Sequence, residues 1–232
     1  MEITQLGTML AGEKLWYPNK IDVFAPHFDG VTMISQLWAK WMLKKIAPSY
    51  PKIEILMGEN TIRHNVEEAL RTKPDLVTHW DHGAPDKWGG HNKDIIVDLN
   101  NVSLLRDTHV YSFSCSSAAQ LGPESVRQGA YSYVGFRQSA MLYQYAAYFQ
   151  GAAAIDYPVR LTQQLEALGL DKPSPELERA VVHKVFSEHK MENLKWAGCA
   201  LVTGMGTLIM LWNWLILTLC LPDEEDGETR LF

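Results

Sequence analysis

A cysteine acts as a nucleophile through its thiolate, and a nearby imidazole or a helix N-terminus lowers its pKa. Of the three cysteines, Cys115, Cys199 and Cys220, Cys115 alone stands where such help is at hand; the other two read as core residues. It follows a strand-like run, VYSFS at 110–114, and precedes small residues at 116–119. Those small residues read as the first turn of a helix whose N–H groups would face the sulfur. His82 is the histidine best placed to serve as base, at the end of a second block, LVTHWDHG at 76–83. Gly83, directly after it, lets the backbone come close to a substrate without a side chain in the way. The N–H groups of Gly83 and Cys115 would then hold the oxyanion of a tetrahedral intermediate. That chemistry is acyl transfer: attack on a peptide carbonyl, a thioester acyl-enzyme, and hydrolysis by water.

The elements around these residues have to bring them to one place. IDVFA at 21–25 reads as a strand, the amphipathic run 33–47 as a helix, and IEILM at 53–57 as a second strand. Asn60 is the natural cap of a helix over 61–71. Strands follow at 76–79, 110–114 and 130–135, with a short extended piece at 95–99 and a short helix at 124–128. An aromatic, Ala-rich stretch over 141–154 reads as a buried helix. A charged helix at 176–189 follows, with His183 and His189 on a solvated face. Strands alternating with helices predict an α/β fold, a mostly parallel central sheet with helices on both faces, over a single domain spanning 1–232. Reactive groups in such sheets gather at the carboxyl ends of the strands. His82 and Cys115 each lie just past such an end, so neighbouring strands would bring them to one edge.

With these blocks in view, the sequence resembles the caspase-like cysteine peptidases, the clan of caspases, legumain, clostripain, separase and the gingipains. A strand ending in His-Gly and a second strand ending in a small residue and Cys is the pattern shared. The short spacer from His82 to Cys115, and the stretch CSSAAQLGPESVRQGAYSYVGF, are similar to the gingipain and CHAT branches. The resemblance covers about 21–221 and implies a caspase-like three-layer sandwich, Cys115 as nucleophile and His82 as general base or acid. It implies Gly83 and Cys115 as the oxyanion hole, with a peptide or protein as substrate and no cofactor. A carboxylate that orients the histidine varies across the clan; Asp81 and Glu59 are the candidates here. Trp80 would wall a substrate pocket, and Asp81 and Asp86 suggest a basic residue before the scissile bond.

Other readings compete. His79, His82 and His91, with Asp81 and Asp86, offer donors for zinc, although they fall on strand and loop rather than one helix face. The segment 197–221 carries no charge, and two readings of it stay open. It is long enough to span a bilayer as a helix, or it forms two buried strands that turn near Asn213, as the clan's terminal hairpin does. The buried reading is preferred. A non-catalytic module that binds peptides on the same fold is the alternative function.

Composition narrows the field. The chain has 232 residues, 47% hydrophobic and 21% charged, which suits one packed domain. A net charge of −6 argues against nucleic-acid binding. Three scattered cysteines make no disulfide framework. The N-terminal stretch lacks the pattern of a secretory leader. A reducing, cytoplasmic setting is the expectation that follows.

Overall fold

The computed structural model describes residues 18–47, 52–169, 173–199 and 204–222. The N-terminal stretch and the acidic run at 223–226 lie outside them. The chain order is β1 (Lys20–Ala25), α1 (Gly30–Ile46), β2 (Lys52–Met57), α2 (Arg63–Arg71) and β3 (Leu76–Trp80). Three short strands follow, β4 (Gly83–Ala84), β5 (Lys87–Gly89) and β6 (Ile95–Asp98), and then β7 (His109–Phe113), α3 (Leu121–Arg127) and β8 (Ser132–Phe136). The described chain closes with α4 (Ala147–Ala167), α5 (Pro175–Cys199), α6 (Met205–Ile216) and β9 (Leu217–Cys220).

Six strands form one sheet in the order β2-β1-β3-β7-β8-β9, parallel except for β9, which runs antiparallel to β8. Apart from the edge strand β2, the strands are buried along nearly their whole length because both faces are covered. Ile21, Val23, Tyr111 and Phe113 face one layer, with Trp38 and Met42 of α1, Tyr157 of α4 and Phe186 of α5. Phe24, Val77, Val110 and Tyr133 face the other, with Leu70 of α2, Trp88 and Val97 of the short strands, and Val126 of α3. The short strands pair antiparallel, β4-β5-β6, as a small second sheet on that face. The extended piece expected at 95–99 is its strand β6.

The strand order matters for the site. From β1 the chain travels out to β2 and then returns past β1 to β3. The connections leaving β1 and β3 therefore run to opposite faces and leave a crevice between the two strand ends, where open α/β sheets bind ligands.

Local chemistry sets the element boundaries. Asp29 starts α1: its Oδ1 accepts the N–H groups of Val31 and Thr32 at 3.0 and 2.9 Å, and the Thr32 hydroxyl accepts the Asp29 N–H at 3.0 Å. This reciprocal capping box satisfies donors that a helix start leaves unpaired. Helix α2 begins two residues later than predicted. Asn60 sits in a 3₁₀ turn, and the Arg63 N–H is taken by the carboxylate of Asp94 at 2.8 Å, a cap from a distant loop. Helix α5 is tied to the sheet through its buried Glu178, whose Oε1 lies 2.9 Å from His109 Nε2. On the same helix His189 is buried beside Asp156 at 3.2 Å, not on a solvated face.

The apolar segment 197–221 resolves differently from both expectations. Its start ends α5, residues 200–203 lie outside the described residues, α6 covers Met205–Ile216, and only Leu217–Cys220 is strand. Asn213 lies within α6 and makes no turn. Among the described residues no helix is long and apolar enough to cross a membrane. Polar demand explains the change: Asn213 spends its amide on the loop after β8, and a helix delivers it there. Cys220 is core, as expected, whereas Cys199 is exposed.

Candidate active site

Strands β3 and β7 are parallel neighbours, paired from Leu76↔His109 to Trp80↔Phe113. Their carboxyl ends release the chain toward His82 and Cys115 at the same edge of the sheet. The two segments touch there. A Cβ added to Gly83 would fall 2.7 Å from Ser114 Oγ and 2.9 Å from the Cys115 carbonyl oxygen, closer than real contacts allow. Only glycine fits in that gap.

A polar network fixes the floor of the site. His79, fully buried, points Nε2 at the Gly89 carbonyl, 2.9 Å away, and Nδ1 at the Ser112 hydroxyl, 3.2 Å away. A carbonyl only accepts, so Nε2 carries the proton and Nδ1 accepts from Ser112. Burial pushes the His79 pKa down to about 3, and the ring stays neutral. It stacks on Trp88 with centroids 4.6 Å apart, and the Trp88 indole N–H donates to Tyr133 Oη at 2.9 Å. Ser112 bonds Ser114 at 2.7 Å. Both ring nitrogens of His79 are thus committed to the fold, which removes it from the zinc alternative. Among the described residues no group of three or more His, Cys, Asp or Glu side chains could hold a metal ion.

His82 sits above this floor, 45% exposed, with Nε2 2.8 Å from Asp29 Oδ2. Burial works to raise the Asp29 carboxyl, but the Thr32 backbone N–H, His82 and the Thr32 hydroxyl outweigh it and hold the pKa below the usual value. Asp29 is the carboxylate that orients the imidazole, in place of Asp81 and Glu59. It takes Nε2, and among the described residues Nδ1 has no hydrogen-bond partner. Fifty-three residues separate the partners, and they meet because β1 and β3 flank the crevice. The sequence carried a signal for the cap alone: Asp29 and Thr32 have capping-box spacing after the first strand.

Cys115 is half-buried, and burial raises its thiol pKa above the ordinary value. Its S–H donates to the Ala140 carbonyl at 3.6 Å, a bond that only the protonated form makes, and no hydrogen bond joins it to His82. No helix starts at Ser116. That residue takes a left-handed φ of +58°, the chain turns sharply, and α3 begins only at Leu121, so the expected helix-dipole assistance is absent. The loop carrying Ala140 is held by α6. The Met141 N–H donates to Asn213 Oδ1 at 2.9 Å, Asn213 Nδ2 donates to the Met141 carbonyl at 2.9 Å, and Trp212 Nε1 donates to the Ser139 carbonyl at 3.0 Å.

The residues expected to line a substrate pocket lie elsewhere. Trp80 is fully buried against Tyr111 and Phe113. Glu59 is exposed on its 3₁₀ turn, with no bond to His82. Asp86 stands beside Lys87, 3.7 Å from its Nζ. Asp81 is 5% exposed, and neither of its oxygens finds a hydrogen-bond partner of good geometry. Burial pushes its carboxyl up to about 7, against the pull of His82, with Asp29 adding repulsion. The cavity beside the imidazole, about 430 Å³, is lined instead by Phe28, His82, Gly83, Lys87, Lys93 and Ile95, among others.

No family model and no curated protein matches this sequence. Among solved structures, the chain is similar to the complex of the pro- and mature domains of RgpB from Porphyromonas gingivalis. It matches that structure at TM-score 0.51 and 12% identity, over 87% of this chain and 47% of that one. It is likewise similar to the Arg-specific cysteine proteinase gingipain R, at TM-score 0.51 and 12% identity, over 87% of this chain and 46% of that one. The chain spans just under half the length of each. The central sheet, its flanking helices and this likeness give the chain the caspase-like fold of the gingipain cysteine proteinases.

Proposed function

We propose that the chain is a cysteine peptidase of the caspase-like type. The observation that carries the reading is the Asp29–His82 pair, set at the strand-order crevice next to the β7 end that releases Cys115. Asp29 acts as a positioning residue that holds the imidazole by Nε2. Nδ1 then takes the thiol proton as Cys115 attacks a peptide carbonyl. The Gly83 and Cys115 N–H groups stabilise the oxyanion, and the imidazolium returns the proton to the leaving amine. A thioester remains. Water, deprotonated by His82, hydrolyses it and regenerates the thiol. A reducing compartment keeps that thiol competent.

The route requires Cys115 to leave the Ala140 carbonyl, and the bond to it supports a second reading: a resting or non-catalytic module that binds peptides on the same edge. An electrophilic peptide probe separates the two. The wild type is expected to label at Cys115, and Cys115→Ala and His82→Ala to lose the label while melting as the wild type does. Labelling that persists in Cys115→Ala, or a wild type that never labels, overturns the peptidase reading.

A further inference from the structure

We propose that the cavity beside His82 binds an acidic side chain of the substrate peptide, with Lys87 and Lys93 as the groups that meet its carboxylate. The proposal rests on the peptidase reading for the word substrate, but its structural basis is separate. The cavity, about 430 Å³, shares His82 and Gly83 with the candidate site, so a side chain seated in it hangs from a backbone passing the reacting centre. Phe28, Trp88 and Ile95 give it apolar walls, and its charged groups are Lys87, Lys93 and Asp94.

Asp94 turns one oxygen away to the start of α2, where its Oδ2 accepts the Arg63 N–H at 2.8 Å. Lys93 has no such partner: among the described residues no carboxylate pairs with it. Lys87 faces only Asp86, its exposed sequence neighbour, at 3.7 Å. The lining itself then carries two ammonium groups to one carboxylate. Backbone geometry adds a second observation. Asn92 and Lys93 are consecutive non-glycine residues in the left-handed region, with φ of 53° and 66°. Each such residue costs on the order of 1 kcal/mol or more, and such strain gathers at functional sites. Here it is held by Lys93 N–H to the Gly90 carbonyl at 3.2 Å, His91 N–H to the Thr61 carbonyl at 2.8 Å and Gly90 N–H to the Asp94 carbonyl at 2.7 Å. The loop fixes the Lys93 backbone at the rim, and its exposed side chain reaches from there.

A carboxylate entering such a cavity gains charge-assisted hydrogen bonds against apolar walls, where they are stronger than in open water. A basic side chain would meet two ammonium groups, and like charges set against each other reject the wrong partner. The aspartates that suggested a basic preference, Asp81 and Asp86, do not line this cavity.

The test uses Cys115→Ala protein and fluorescent peptides of one length, each carrying Glu, Gln or Lys at a single scanned position. At one position the Glu peptide is expected to bind about tenfold or more tighter than its Gln counterpart, the span of a charged hydrogen bond, and the Lys peptide more weakly than either. The preference should collapse in Lys87→Gln/Lys93→Gln, checked for an unchanged melting curve, and should weaken with salt. Equal binding of the three peptides, or a preference that survives the double substitution, overturns the assignment. Wild-type protein with the same peptides keeps the two ideas apart. Hydrolysis without acidic preference defeats the cavity assignment alone. Acid-preferring binding without hydrolysis of any peptide defeats the peptidase reading alone.

Discussion

Asp29 divides its two oxygens between two tasks. Oδ1 starts α1, and Oδ2 holds His82. The tasks separate by substitution, because asparagine caps a helix about as well as aspartate while carrying no charge. Asp29→Asn should keep the wild-type melting temperature and label at Cys115 about a hundredfold more slowly, the lower range for losing a working general base. Asp29→Ala should add a stability loss of about 1 kcal/mol from the missing cap. Equal labelling rates for wild type and Asp29→Asn would reduce Asp29 to a cap. At this scale the sequence placed His82 and Cys115 just past two strand ends, which the pairing of β3 with β7 brings to one edge. It hid the third partner. Nothing local in WDHG points back 53 residues to Asp29; only the strand order makes them neighbours.

Among the elements, the junction between β3 and the small antiparallel sheet has a measurable signature. Asp81 lies there, buried, with a pKa raised from 3.8 to about 7. Between those values the folded chain holds a proton that the unfolded chain has released, so stability falls as pH rises from about 4 to 7. Asp81→Asn removes the ionisation. Its stability should match the wild type near pH 4 and exceed it progressively toward pH 8, by on the order of 4 kcal/mol at most. A constant offset across the range would mean that the carboxyl ionises freely. Helices and strands with clear periodicity, α1 and β1 through β3, were legible from the chain alone. The end of the chain was not. An uncharged run reads alike as buried strands or as a spanning helix, and the choice of α6 followed by β9 depends on Asn213 finding Met141 and on β8 needing a partner for its open edge.

Over the whole molecule, α6 and the Cys115 sulfur are connected. Asn213 exchanges two hydrogen bonds with Met141, and the adjacent Ala140 carbonyl receives the Cys115 S–H. Asn213→Ala should therefore raise the alkylation rate of Cys115 by a small uncharged reagent, with the melting curve checked alongside. An unchanged rate would mean that the loop holds its place without the amide. The sulfur then behaves as a latch whose keeper is mounted on another part of the chain. Whatever docks on or tugs α6 would then act on it from a distance, with no need to enter the crevice.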